Sequence, residues 1–266
     1  MSRLLAAFII VVATSVRVLA QGAPPSPEVL KDLAPTGTLR AAINFGNPVL
    51  AQKGPNGEPK GITPELAAAL AKRLGVPVDY VRREAAGKVF EALATGAVDV
   101  GFIAIEPVRA AQVDFSPPYV IIEGTYMVRK DSPLKTVDDV DKSGIKIGIG
   151  LASVYDLYLT RTLKHATLVR ASVGGAAAGI PVFRDQKLDA AAGVREALDT
   201  YAKDHPDVRV MSGRFEEIRQ AIGTPKGRAA GAAYVRGFIE EMKANGFVAD
   251  ALKRSGQTAP VAPPDH

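Results

Sequence analysis

An arginine lies a few residues after a predominantly apolar run that is typical of a buried parallel strand. The run spans residues 98–105, and Arg109 follows it after a short Glu-Pro step. Open α/β sheets place their binding crevices outside the carboxyl ends of the strands. A guanidinium at that edge has the planar set of donors that holds a carboxylate through two parallel hydrogen bonds. Arg109 is therefore a candidate carboxylate ligand, and an arginine on a solvated turn is the alternative.

A second candidate site follows a later strand. Residues 145–149 alternate and are β-branched like a strand, and the small-residue turn Gly150-Leu-Ala-Ser153 leads into a predicted helix from Val154 to Leu163. Free N–H groups and the helix dipole make such a helix start suitable for an anion. Ser153 is the candidate there, with an ordinary N-cap serine as the alternative. Tyr155, in the first helical turn, could reach the same point.

Three further residues stand at predicted strand exits. Asn44 and Phe45 end the first strand, and Arg195 ends a strand in the second half of the chain. For Arg195 the sequence leaves open a second acidic ligand group or a solvated helix start. For Glu106 the sequence leaves three possibilities open: an exposed side chain, an ion pair with Arg109, or contact with a cationic group of the ligand.

The predicted elements that position these residues alternate between strand and helix. Strands at 39–44, 76–81 and 98–105 are separated by helices at 63–74 and 88–95, with Gly75 as the C-terminal stop of the first helix. This βαβαβ order predicts an α/β fold with a parallel sheet.

The segment from Arg109 to Tyr119 reads Arg-Ala-Ala-Gln-Val-Asp-Phe-Ser-Pro-Pro-Tyr. It resembles the signature of the bacterial extracellular solute-binding proteins, family 3, which serve amino-acid ABC importers, and the resemblance covers roughly residues 36–256. It implies a two-lobed periplasmic-binding-protein fold of type II, a flytrap with two hinge crossings. It also implies that Arg109 grips the ligand carboxylate, that Phe45 stacks on the solute, and that Ser153 meets the same carboxylate. For Phe45 the alternative is a loop aromatic that packs on Pro48.

The resemblance also implies a division of the chain. We expect lobe 1 to comprise residues 36–122 and 223–256, and lobe 2 to comprise residues 123–222. Residues 1–20 are interpreted as a signal peptide, 21–35 as a leader, and 257–266 as a tail.

Two departures from the family pattern concern the ligand. The segment Ile103-Ala-Ile-Glu106 lacks the hydroxyl side chains that the family usually has there, and Val194 stands where the family has the Asp that receives an α-ammonium. An apolar residue cannot compensate an ammonium. Either Glu106 or Glu196 takes that role, or the ligand is not a standard α-amino acid.

The N-terminus has the pattern of a secretory signal peptide, with Arg3, a short apolar run and a small-residue exit at Ala20. The chain contains no cysteine, which excludes disulfides and a lipidated N-terminal cysteine. The formal charge of +5 falls to +3 without Arg3 and Arg17, and the basic residues are scattered, which argues against a nucleic-acid partner. We expect a monomeric periplasmic protein that meets a permease at the inner membrane.

No catalytic residue, metal site or cofactor is predicted. The three histidines stand at positions 165, 205 and 266, outside any recognisable triad or zinc pattern, and no glycine-rich phosphate fingerprint is complete. The expected function is binding of an amino acid or related small carboxylate. The alternative is an exported cyclohexadienyl dehydratase-like enzyme on the same fold, acting on prephenate or arogenate with Glu106 or Glu196 as the general acid.

Overall fold

The computed structural model describes residues 24–265, so the predicted signal peptide lies outside the described residues. Helices and strands alternate along most of the chain. The strands are β1 (Leu39–Asn44), β2 (Gln52–Lys53), β3 (Pro59–Lys60), β4 (Val78–Arg83), β5 (Val100–Ala104), β6 (Val113–Phe115), β7 (Val120–Arg129), β8 (Lys146–Ile149), β9 (Thr167–Arg170), β10 (Ala190–Val194), β11 (Val208–Val210) and β12 (Glu216–Pro225). The helices are α1 (Pro27–Leu33), α2 (Ile62–Leu74), α3 (Ala86–Ala94), α4 (Pro107–Ala110), α5 (Val154–Thr162), α6 (Gly179–Asp185), α7 (Arg195–Lys203), α8 (Ala229–Ala244) and α9 (Phe247–Arg254).

Ten of these strands form one continuous, mixed sheet. Its order is β4-β1-β5-β12-β7-β10-β8-β9, with β6 beside β12 and β11 beside β7. The outer strands on each side run parallel to their neighbours, as the βαβαβ pattern predicts, whereas β7 and β12 run antiparallel to theirs. The α/β fold class is confirmed.

The two long strands β7 and β12 join the two halves of the sheet. Their first halves pair with each other, with Glu216 opposite Gly124 and Gln220 opposite Val120. Beyond Gln220, β12 pairs with β5, and beyond Gly124, β7 pairs with β10. Both strands therefore change partners where the chain passes from one half of the sheet to the other. Strand exits from both halves consequently face a common space.

Both terminal segments of the described chain pack on the fold. Helix α1, within the predicted leader, buries Val29 and Leu33 and lies against α8. In the predicted tail, Ala259 and Ala262 are buried, and the Ala262 N–H donates to the Tyr119 carbonyl at 3.1 Å. Within residues 24–265, no helix has the length and apolarity needed to cross a membrane.

Candidate functional site

A cavity of about 30 Å³ lies where strand exits of the two halves meet. Its wall combines amide, hydroxyl and apolar side chains with one guanidinium. The lining residues are Asn44, Gly46, Asn47, Ala86, Ile103, Ala104, Arg109, Ile122, Ser153, Val154, Tyr155, Gly175, Ala176, Val194 and Gln220. They come from both halves, so the cavity exists only when the halves are in contact.

Arg109 is the centre of this wall. Glu106 caps helix α4 and Pro107 starts it, so the chain turns sharply after β5 and returns the Arg109 side chain to the strand exit. One guanidinium nitrogen donates to the Ala104 carbonyl and the other to the Ala152 carbonyl, each at 3.1 Å. The side chain is 1% exposed and has no ion-pair partner among residues 24–265. Burial lowers the pKa of Arg109 to about 10, against the opposing charges of Glu106 and Glu216.

Glu106 serves the turn and the contact between the halves. One carboxylate oxygen accepts from the Val108 N–H at 2.8 Å, and the other accepts from the Arg161 guanidinium on α5. Of the situations that the sequence left open, the structure shows a buried carboxylate that pairs with Arg161 rather than with Arg109. Glu106 does not line the cavity.

Ser153 caps helix α5 and also lines the cavity. Its hydroxyl donates to the Gly150 carbonyl at 2.8 Å and accepts from the Asp156 N–H at 3.0 Å. Asp156 in turn accepts from the Ala152 N–H at 2.9 Å, which fixes Ala152 in the left-handed region at φ +55°. This conformation directs the Ala152 carbonyl to Arg109 in the opposite half. Ser153 is therefore both the N-cap of α5 and a residue of the cavity wall. Its role as an N-cap does not exclude it as a candidate ligand-binding residue.

Asn44 and Tyr155 also line the cavity, as the sequence analysis proposed for both. The Asn44 side-chain oxygen accepts from the Gly46 N–H at 3.0 Å, which stabilises the turn after β1. The Tyr155 hydroxyl donates to the Gly175 carbonyl, and burial raises the pKa of Tyr155.

Phe45 and Arg195 lie outside the cavity wall. The Phe45 ring is partly buried, with Lys53 and Arg82 at 5.8 and 5.6 Å from its centroid. Arg195 donates to the Glu123 carboxylate of β7 at 2.6 Å and to the Met211 and Gly213 carbonyls. It therefore connects α7 to the crossing strand, near the point where β7 changes partners.

One amide residue of the wall, Gln220, was missed by the sequence analysis. Gln220 is 4% exposed and comes from the returning strand β12, opposite Ala104 of β5. Its signal is a glutamine within the alternation of buried Ile218 and Ile222. Asn47 lies in the turn after β1, where its side-chain oxygen accepts from the Val49 N–H at 3.2 Å.

The two halves touch at several points around the cavity. The Ala176 N–H donates to the Gly46 carbonyl at 2.7 Å, and the Arg161–Glu106 ion pair closes a second side. A methyl group added at Gly87 of α3 would come within 3.0 Å of the Ala152 Cβ. These contacts define a closed arrangement around Arg109.

A two-part α/β molecule, joined by two crossing strands and holding a small polar cavity between its parts, has the architecture of a type II periplasmic binding protein. Residues 39–257 match the family of bacterial extracellular solute-binding proteins, family 3, and the chain belongs to this family. The resemblance stated from the Arg109 motif is thereby confirmed.

Named relatives agree with this assignment. The L-cystine-binding protein TcyJ of Escherichia coli strain K12 is 26% identical over 223 residues, which is 82% of each chain. A solved solute receptor for L-cysteine from Neisseria gonorrhoeae has a TM-score of 0.72 at 24% identity, covering 86% of this chain and 92% of that one. Together with the family, they support a solute-binding component of an amino-acid ABC importer.

One neighbour bears on the enzyme alternative. The ancestral amino acid-binding protein AncCDT-1, a precursor of cyclohexadienyl dehydratase, has a TM-score of 0.70 at 26% identity, covering 85% of this chain and 97% of that one. It too is described as a binding protein. The family and the named relatives are solute-binding proteins, consistent with the expectation that this chain is not an enzyme.

Proposed function

We propose that the protein captures a small carboxylate in the cavity and that Arg109 holds its anionic group. The observation that carries this proposal is a guanidinium that is 1% exposed, faces the cavity and lacks an ion-pair partner among the described residues. A buried cation is costly unless it is paired. A carboxylate in the cavity would supply the missing charge together with two acceptor oxygens.

Binding would proceed from one lobe to the other. Lobe 1, residues 36–122 and 223–256, presents Arg109 and Asn44. Lobe 2, residues 123–222, then closes and brings Ser153 and Tyr155 over the same site. The positions near Gly124 and Gln220, where the crossing strands change partners, are the proposed hinge. The closed monomer would be recognised by an ABC permease after the signal peptide is cleaved near Ala20 in the periplasm.

The test is an affinity measurement on Arg109 variants of the mature protein. A thermal-shift panel of amino acids, oxo acids, hydroxy acids and dicarboxylates identifies a ligand, because a ligand at about 100 times its Kd adds roughly 2.7 kcal/mol of stability. Arg109→Ala should then weaken binding by about 2–5 kcal/mol, since one partner of a desolvated charge pair is removed. Arg236→Ala, which removes an exposed arginine on α8, is the matched control.

Unchanged affinity in Arg109→Ala would contradict the proposal. So would binding of the uncharged amide of that ligand as tightly as the acid itself. Turnover of prephenate or arogenate by the wild-type protein would instead favour the dehydratase alternative.

A further inference from the structure

The charges around the cavity restrict the ligand further. Arg109 is the charged side chain of the wall, and among the described residues no carboxylate lines the cavity. Of the acids nearby, Glu106 pairs with Arg161 and Asp156 pairs with Arg170. Glu216, whose charge also acts on Arg109, does not line the cavity. The ammonium of an α-amino acid closed into this space would find no carboxylate of the wall to pair with, which is a costly arrangement.

The hydrogen-bonding groups of the wall point the same way. The side-chain oxygens of Asn44 and Asn47 accept from backbone N–H groups, at 3.0 and 3.2 Å, so their orientation is fixed with the NH₂ groups left as donors. The Gln220 amide makes no hydrogen bond within residues 24–265, so it can turn either its NH₂ group or its oxygen to a ligand. An ammonium is a donor only and gains nothing from the NH₂ groups of Asn44 and Asn47, whereas an uncharged oxygen can accept from them.

Two backbone carbonyls near the cavity already accept a side-chain hydrogen bond. The Ala104 carbonyl accepts from Arg109 and the Gly175 carbonyl accepts from Tyr155. Val194, 2% exposed, contributes a hydrocarbon surface at the exit of β10. Beyond the charge of Arg109, the wall therefore offers the fixed NH₂ groups of Asn44 and Asn47 and apolar groups, and among the described residues it offers no carboxylate.

We infer that the ligand is a small monocarboxylate with an acceptor oxygen at its second carbon, a 2-oxo or 2-hydroxy acid, rather than an α-amino acid. Arg109 pairs with the carboxylate, and the amides of Asn44, Asn47 and Gln220 donate to the neighbouring oxygen. This inference rests on the proposed function, because it assumes that Arg109 binds a carboxylate. The cavity volume of about 30 Å³ favours the smallest members of the class.

The test compares acids that differ only at the second carbon. Pyruvate, L-lactate and L-alanine form one series, and 4-methyl-2-oxopentanoate with L-leucine forms a larger pair. Titration calorimetry on the wild-type protein should give a Kd for the best oxo or hydroxy acid at least about 30-fold below that of the matched amino acid, since an unpaired buried charge is at stake. An amino acid that binds as tightly as its oxo and hydroxy counterparts would overturn the inference.

A pair of variants tests the cause of the preference. Val194→Asp places a carboxylate in the wall, and Val194→Asn gives the same shape without the charge. The aspartate variant should shift the preference towards L-alanine or L-leucine by about 10-fold or more, and the asparagine variant should not. If Val194→Asp does not fold, the comparison on the wild-type protein still decides whether the site prefers oxo and hydroxy acids to amino acids.

The outcomes separate this inference from the proposed function. Preference of the wild-type protein for amino acids, lost in Arg109→Ala, would refute the inference and support the role of Arg109. If none of the five acids binds, the inference that the ligand is a small 2-oxo or 2-hydroxy acid is refuted. If, in addition, the compounds found in the panel bind equally to the Arg109 variants, the proposed function fails as well.

Discussion

The contact between Gly87 and Ala152 allows closure of the cleft to be perturbed without touching the cavity. A Cβ built on Gly87 lies 3.0 Å from the Ala152 Cβ, whereas carbon atoms prefer about 3.5–4.0 Å. The substitution Gly87→Ala therefore requires Ala152, in the opposite lobe, to move away by a few tenths of an ångström. Ala152 carries the carbonyl that accepts from Arg109, so this displacement also weakens the closed arrangement around the guanidinium.

The expected size of the effect follows from overpacking. Inserting a methyl group into a packed contact typically costs about 1–3 kcal/mol, which corresponds to about a 5- to 150-fold loss of affinity if only the closed form is affected. The fold itself should not suffer, because Gly87 lies in helix α3 and alanine is the better helix former by up to about 1 kcal/mol. The prediction is weaker binding at equal or higher stability of the ligand-free protein.

Gly237→Ala is the matched control for this variant. Gly237 lies in helix α8, and a Cβ there would meet no atom within 4 Å. Both variants gain helix propensity, but only Gly87→Ala obstructs closure. Calorimetric affinity for the ligand found in the panel and urea unfolding without ligand supply the two readouts. Equal affinity in the two variants would refute the assignment of this closed arrangement to the ligand-bound state.

Three further predictions concern other parts of the molecule. Burial raises the pKa of Glu216 from 4.5 to about 7, so the free energy of unfolding should fall as the pH rises through this range. Because the side chain is partly exposed, we expect Glu216→Gln to remove about 1–2 kcal/mol of this fall between pH 4.5 and 8, measured by urea unfolding. A pH profile that Glu216→Gln leaves unchanged would contradict this prediction. The double variant Gly87→Cys with Ala152→Cys should form a disulfide that non-reducing electrophoresis detects, because the two Cβ positions are close together. Neither single variant should do so, since the chain has no other cysteine. Asp99→Asn should lower the free energy of unfolding in urea by about 3–5 kcal/mol, because fully buried Asp99 pairs with Arg40 and Arg228 at 2.7 Å each. An unchanged free energy of unfolding would show that these pairs contribute little.

The cavity residues that could be predicted share one property: their position follows from local chain order. Asn44, Arg109 and Ser153 each stand just after a strand or at a helix start, and strand exits of an α/β sheet meet at one edge. Short-range pattern therefore suffices to bring them to the cavity wall. The family motif around Arg109 added the two-lobed architecture.

The candidate residues that lie outside the cavity wall depend on long-range pairing. Phe45 follows Asn44 directly and turns to the side of Lys53 and Arg82, outside the cavity wall. Arg195 is drawn to Glu123, which is 72 residues away in the chain.

Gln220 shows the opposite case: the alternation with buried Ile218 and Ile222 indicates that it is buried, but no local pattern places it in the cavity wall. It reaches the wall through the antiparallel register of β12 with β5, which places it opposite Ala104. No local periodicity specifies such a register, because it depends on which strands become neighbours in the folded sheet.

The buried cation connects the small cavity to the proposed binding mechanism. Arg109 makes two hydrogen bonds to carbonyls, and burial lowers its pKa from 12.5 to about 10, which corresponds to about 3 kcal/mol of unfavourable desolvation. Closure over Arg109 alone retains this cost, whereas closure over a carboxylate relieves it. An anion therefore favours the closed form, and an uncharged analogue of the same shape, such as the corresponding amide, does not. On this argument the closed form should distinguish an acid from its amide by about two orders of magnitude, because each factor of ten corresponds to about 1.4 kcal/mol.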